Sequence, residues 1–538
     1  MVKKIVILSV ILTISWLGIS MAGTIQLPRT GQTTCYDEAG TQLPTCEGTG
    51  QDGEYQKGVV WPIPRFQSGS GTEADCIIDN LTRLMWQKNV DPTTKTWQEA
   101  LDYVQTLNIT ETICGHSDWR LPNVNELESL INSGEASTAT WLMNQGFSGI
   151  YYDYWSSTSD FAYPEYAHTV NLVGGYSASH LKSGPGYVIA VRGITSGPAQ
   201  VWQTSQTTCF DASGALVDCA GTGQDGEQLM GIAWPDPRFR VQADCITDDL
   251  TGLTWTKSPA IIEGIWQEGL DYAKPFRLCG YSDWRLPNRN ELRSLIHYGV
   301  IYGDEWLNSQ GFDSIWPNYY WSSTTDLSSP SMAWRLKTRG AALVYNSKTG
   351  PSLAYYTLLV RSNTEGTIGT KFTLEGSGFG SKKGKLLVGG LTTKIVTWSD
   401  SSITCMVTKV PLPAGTYDIQ VTPPKPIATI PFPLAFTVRN PQVVEVKPGL
   451  QGWPKDEIMI KGQFFSTKKG KVYLGYDKNG QPKTRNCAVK SWSMDSTTGE
   501  STIIFKVPKR PEPLRPAYPL YISNKVGTTS PALFFTIN

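Results

Sequence analysis

Histidine is scarce in this chain, at four in 538 residues, and charged side chains make up only 17%. No Cys-x-x-Cys pair occurs, so the neighbouring-ligand spacing of structural zinc sites is missing. Neither HExxH nor GxSxG appears, and no His, Ser and Asp order recurs, which removes the usual signatures of zinc proteases and serine hydrolases. No enzyme activity, catalytic residue, metal or cofactor is therefore expected. Beyond residue 22 no apolar run is long enough to cross a bilayer as a helix.

Glycine (51), tyrosine (24) and tryptophan (19) are plentiful. Together with the low charge they favour β-rich, turn-rich globular structure over long helices or disorder. A chain of this length exceeds what one hydrophobic core serves, and roughly three to four domains are expected. The N-terminus reads as a signal peptide, residues 1–22: Lys3 and Lys4, an apolar stretch from Ile5 to Ile19, then the small-residue site Ser20-Met21-Ala22. No cysteine follows directly, which argues against a lipid anchor. Export places the mature chain in the periplasm, on the cell surface or outside, in an oxidising compartment.

The chain spells one sentence twice. CGHSDWRLPNVNELESLI (Cys114–Ile131) returns as CGYSDWRLPNRNELRSLI (Cys279–Ile296), differing only at His116/Tyr281, Val124/Arg289 and Glu128/Arg293. TTCYDEAG returns as TTCFDASG, GTGQDGE recurs unchanged, WPIPRF becomes WPDPRF, and ADCIIDNLTRLMW becomes ADCITDDLTGLTW. WSST occurs at Trp155 and Trp321, and a Val-Arg pair closes each unit at Arg192 and Arg361. A tandem duplication follows, with copies at 30–194 and 204–362, each long enough to bury its own core, joined around Pro198.

Eight of the ten cysteines fall in these copies with the same spacing. Four cysteines permit three pairings; the preferred set is Cys35–Cys46, Cys76–Cys114, Cys209–Cys219 and Cys245–Cys279. Cys405 and Cys487 read as buried thiols. Local signals predict α+β copies. Asn123 with Glu126, and Asn288 with Glu291, form capping boxes, and WQEALDYV aligns Trp97, Leu101 and Val104 on one helical face. Short strands broken by Gly, Pro, Asn and Asp make up the rest.

From residue 363 helical periodicity vanishes. Closely spaced strand-like runs predict two antiparallel β-sandwiches, at 363–439 and 440–538. Formal charge is polarised along the chain, at about −10 for 23–195, −4 for 196–362 and +12 for 363–538.

The phrases TGQDGE, DNLTRLMW/DDLTGLTW, SDWRLPNxNEL, WSST and the terminal Val-Arg resemble the Lcl C-terminal domain family. The resemblance implies a variant C-type-lectin-like fold; the family's namesake is a bacterial surface adhesin that binds sulfated polysaccharides. LEGSGFG, VTWSDSSITCMV and PAGTYDIQV, then VVEVKPG, IMIKGQFF, VKSW and FKVP, resemble two IPT/TIG immunoglobulin-like domains, the second with an insertion around Asp477–Arg485.

Candidate ligand residues follow. Trp155 and Trp321 could stack on a sugar ring, although a core tryptophan followed by a hydrogen-bonded turn is the favoured reading. Asp52, Glu54, Asp225 and Glu227 supply oxygen ligands for calcium, but without a regular loop spacing a Gly-Asp turn is simpler. Arg120 and Arg285 of SDWRLPN are expected to satisfy nearby carboxylates or carbonyls. Lys382, Lys383 and Lys385 (SKKGK) and Lys468, Lys469 and Lys471 (TKKGK) occupy matching hairpins and could hold a polyanion, against the alternative of solvated lysines that block edge pairing. The expected function is an exported binding or adhesion protein recognising a glycan, another polyanion or an envelope protein; the alternative is a structural or assembly component of the envelope.

Overall fold

The computed structural model describes residues 25–538 except 60, 112, 194–196, 263–264, 280–282, 350–354, 363, 376–381, 400–401, 411–414, 423–429, 439, 479–480, 497–499, 512–516, 525–528 and 531. The stretch expected to be a signal peptide, residues 1–22, lies outside the described residues.

Each copy is built twice over from the same parts. In the first, strands Phe66–Ser68, Cys76–Asp79, Leu84–Gln87 and Val191–Gly193 form an antiparallel sheet in that order. The closing Val-Arg strand thus returns to pair with the LMW strand, which explains its place at the end of the unit. In the second, Phe239–Gln242, Cys245–Asp248, Leu253–Thr256 and Val360–Ser362 repeat the arrangement. The DNLT and DDLT phrases are its turns: Asp79 and Asp248 each accept from a backbone N–H and a threonine hydroxyl within three residues. Helix Trp97–Thr106 begins with a capping box of Thr96 and Glu99. Helices Val124–Glu128 and Arg289–Arg293 begin with those of Asn123/Glu126 and Asn288/Glu291. A second sheet carries WSST, on strand Asp153–Ser159 at the edge of an antiparallel three-stranded sheet in the first copy and on Tyr319–Thr325 in the second, where that strand also pairs in parallel with Tyr355–Thr357.

All four predicted disulfides are formed, and Cys405 and Cys487 are buried thiols whose burial pushes each up to about 12.

The copies share a core, contrary to expectation, although the first also keeps one of its own around Trp97, Leu101, Trp119 and Trp155. One apolar cluster includes Trp86, Leu127, Tyr154 and Val191 of the first together with Trp255, Leu292, Tyr320 and Val360 of the second. Trp202, from the segment expected to be a joint, is buried in the same cluster. The reason is an exchange. The leading segment of the first copy, residues 25–59, docks on the second: Gln32 Nε2 donates to the Thr325 carbonyl at 3.0 Å, and the Thr325 N–H donates back to Gln32 Oε1 at 3.0 Å. The leading segment of the second, residues 200–233, docks on the first by the same paired bond, Gln206 with Ser159 at 2.8 and 2.9 Å. Lys348 donates to the carbonyls of Tyr36 and Asp37, and Lys182 to those of Phe210 and Asp211.

Two sandwiches follow. The first faces a five-stranded sheet (Thr364–Gly366, Ile430–Val438, Gly415–Thr422, Lys385–Val388, Leu391–Thr392) with a three-stranded one (Lys371–Glu375, Ser402–Met406, Lys394–Trp398). The second pairs a four-stranded sheet (Gln442–Lys447, Glu457–Gln463, Glu500–Lys506, Ala488–Met494) with a five-stranded one that includes Lys471–Lys478 and Gln481–Asn486. The insertion read around Asp477–Arg485 is the hairpin between these last two strands. The first sandwich shares its core with the second copy: Trp284, Trp321 and Leu359 lie in one cluster with Ile368, Phe372 and Leu374.

Candidate functional site

The shared phrases mostly face inward. Arg120 and Arg285 form buried bidentate pairs with Glu126 and Glu291, each oxygen at 2.5–2.7 Å, and those carboxylates also close the capping boxes. The SDWRLPN arginines are thus satisfied as expected. Trp155 and Trp321 are wholly buried. Trp155 Nε1 donates to the Lys95 carbonyl at 2.8 Å, and a Cβ on Gly186 would meet that nitrogen at 2.6 Å. These rings present no face to a ligand, which corrects their candidacy as a sugar platform and leaves the core reading.

The GTGQDGE carboxylates are also spent within the fold. Glu54 accepts from the N–H groups of Gly48 and Gly50, and Glu227 from those of Gly221 and Gly223. Asp52 Oδ2 accepts from Thr30 Oγ1 of its own segment and Thr324 Oγ1 of the opposite copy, at 2.6 and 2.7 Å. Asp225 Oδ2 does the same with Thr204 and Thr158, both at 2.6 Å. Burial raises each of these two carboxyls from 3.8 to about 6, against the lowering effect of the hydroxyls. Among the described residues no group of His, Cys, Asp and Glu is arranged to hold a metal ion.

The six candidate lysines, Lys382, Lys383, Lys385, Lys468, Lys469 and Lys471, are exposed. They do not sit in hairpins. SKKGK links Lys371–Glu375 to Lys385–Val388, and TKKGK links Glu457–Gln463 to Lys471–Lys478, each crossing from one sheet of its sandwich to the other. Local strand periodicity does not reveal which sheet a strand joins, which is why the hairpin reading failed. In each loop one lysine is tied down: Lys383 Nζ donates to the Ile395 carbonyl at 3.1 Å and Lys469 Nζ to that of Val489 at 2.8 Å. The other lysines of both loops remain as surface cations at equivalent positions.

One surface was missed from the sequence. In the second copy Tyr302 and Trp316 are 43% and 53% exposed, and the Arg339 guanidinium lies 4.3 Å from the Tyr302 ring centre. Attention to what the copies share passes over this place, because it lies where they differ.

Models of known families match most of these units: the Lcl C-terminal domain at residues 75–192 and 244–361, and the IPT/TIG domain at 359–438. Among curated proteins none matches the chain. Among solved structures, a surface glycan-binding protein from Prevotella bryantii is 18% identical, over 32% of this chain and 37% of its own, with a TM-score of 0.17. SGBP-B of a Bacteroides ovatus mixed-linkage glucan utilization locus, solved with a mixed-linkage heptasaccharide, is 14% identical over 36% of this chain and 52% of its own, with a TM-score of 0.18. The plexin A4 extracellular region is 14% identical over 37% of this chain and 18% of its own, with a TM-score of 0.16. In each case well under two thirds of the other protein is matched, and at such TM-scores these likenesses carry no argument.

Proposed function

We propose that this chain, which carries two Lcl C-terminal domains followed by an IPT/TIG domain, is an exported bacterial binding protein of the envelope or exterior, with lectin-like modules and a glycan or other polyanion as ligand. Four disulfides support passage through an oxidising compartment. No helix among the described residues is long and apolar enough to cross a membrane. The second sandwich reads as a further immunoglobulin-like domain of IPT/TIG type, supported by its two facing sheets, antiparallel but for the short edge strand Gln451–Gly452, and its repeated lysine loop.

The observation that carries the ligand class is the recurrence of exposed lysines at the same inter-sheet connection in both sandwiches, within a half of the chain that is strongly basic. Two cationic loops in one chain favour a polymer with repeated negative charge, which engages both and gains from their linkage. The test is binding of the full chain to immobilised dextran sulfate across a salt series. Replacing the six lysines with alanine should abolish retention and flatten its salt dependence; retention unchanged in that variant would refute the assignment.

A structural or assembly role is the second reading, and one observation favours it. The phrases most alike in the two copies, WSST and SDWRLPN, are used for packing within and between the copies. A full chain that retains no glycan or polyanion, yet is needed for an intact envelope, would decide for it.

A further inference from the structure

The two copies differ together at one place. Positions held by Ser137, Ala139, Thr140, Tyr151 and Val173 in the first are held by Tyr302, Asp304, Glu305, Trp316 and Arg339 in the second. In the first copy this surface is closed: Ala139 is buried and Tyr151 lies face to face with Tyr187 at 4.4 Å. In the second, Tyr302, Glu305 and Trp316 are exposed, while Asp304 is buried as Ala139 is. Tyr302 immediately precedes helix Gly303–Ser309 and bridges by backbone to Arg339, on the turn after strand Met332–Lys337. Arg339 Nη2 lies 3.1 Å from Asp304 and 3.5 Å from Glu305. Thr338 Oγ1 donates to the Trp316 carbonyl at 2.9 Å, so Trp316 is anchored beside the same turn. A small pocket lined by His297, Ile301, Gly303, Leu307, Thr338 and Gly340 adjoins that turn, without Tyr302, Trp316 or Arg339 in its lining.

We propose that this surface of the second copy is a binding site for a neutral, hydroxyl-rich sugar unit. Tyr302 and Trp316 supply apolar ring surface for the C–H face of a pyranose, while Arg339, held by the buried Asp304, donates to hydroxyls and the exposed Glu305 carboxylate accepts from them. Isolated exposed aromatics are ordinary on protein surfaces. Two anchored to successive residues of one turn, beside a pocket and absent from the sister copy, form a built site. Charge selects the ligand class. The buried Asp304 is spent on Arg339, which leaves the exposed Glu305 carboxylate as the excess charge, so sulfated or carboxylated sugars are disfavoured. The site is thus distinct from the lysine loops, and it deepens the glycan-binding reading on which it rests.

The test is calorimetric titration of the full chain with cellohexaose, xylohexaose and mannohexaose, and with dextran sulfate. The variants are Trp316→Ala and Tyr302→Ser, the latter restoring the residue type of the first copy. Tyr152→Ala, removing an exposed ring of the first copy, is the control. At least one neutral hexasaccharide should bind, each second-copy variant should weaken it tenfold or more with an unchanged melting temperature, and Tyr152→Ala and dextran sulfate binding should be unaffected. Neutral binding indifferent to Trp316 and Tyr302, or weakened equally by Tyr152→Ala, overturns the site. Binding of dextran sulfate alone overturns it while the glycan reading stands, and binding of neither class overturns both.

Discussion

Glu128 of the first copy and Arg289 of the second form an ion pair at 2.8 Å, with side chains 0% and 1% exposed. These are two of the few residues that break the repeat. Arg289 also donates to the Gly175 carbonyl and stacks on Trp334, while Arg293 donates to the Asn125 carbonyl and stacks on Trp202. The departures from identity are therefore concentrated on the seam where the copies meet. Two identical helices would place like groups against each other there; the Val124/Arg289 and Glu128/Arg293 differences let acid face base.

Removing one partner of a buried pair leaves the other charge uncompensated. Glu128→Ala should cost about 3–5 kcal/mol, read as a lower urea midpoint. Arg289→Val combined with Arg293→Glu restores the first copy's residues in the second and sets two carboxylates together. Folded protein should not be recovered from that variant.

Because the larger core is shared, residues 30–194 expressed alone should not fold cooperatively. They lack the segment 200–233 that supplies Trp202, Gln206 and Asp225. A cooperative thermal transition from that fragment, followed by circular dichroism, would contradict the exchange.

Asp52 and Asp225 predict a pH dependence whose sign is unusual for carboxylates. Their folded values are raised from 3.8 to about 6, so between these limits the folded state holds more protons than the unfolded. Their contribution is therefore most favourable below about pH 4, is lost as pH rises to about 6, and is flat above. Each accounts for on the order of 3 kcal/mol. Asp52→Asn with Asp225→Asn keeps an oxygen for the threonine hydroxyls. The double variant should gain stability relative to the parent as pH rises from 4 to 6, measured as the difference of their unfolding midpoints.

The Cys35–Cys46 bridge braces a segment whose partner is the other copy. Replacing both cysteines with serine should destabilise by about 3 kcal/mol from loop entropy. The effect should appear far away in sequence: the Thr325 amide, which donates to Gln32, should exchange faster, as read by hydrogen–deuterium exchange.

What was legible in the sequence was what is local or copied. The capping boxes at Asn123 and Asn288 need only four neighbouring residues, and both formed. The shared cysteine spacing showed that both copies pair alike, while the choice among three pairings was settled by the fold. The exchange was not, for a physical reason. Gln32 pairs with Thr325, but the first copy offers Ser159 at the same place, and sequence similarity cannot choose between two near-equivalent docking sites. Sheet membership of the lysine loops was hidden likewise, since a strand's period marks its buried face and not its neighbours. Trp155 could be weighed as platform or core, and only packing separated them.

The reciprocal docking also sets an order of events during synthesis. Residues 200–233 follow the unit they complete and can settle soon after it. Gln32, by contrast, waits for Thr325, 293 positions later. The last fastening of the paired modules is therefore made by the leading segment of the first copy, a long-range closure of the kind that slows folding. Until then an apolar seam stands open to other chains. A copy number of two turns the unit into a closed ring, in which the beginning holds the end.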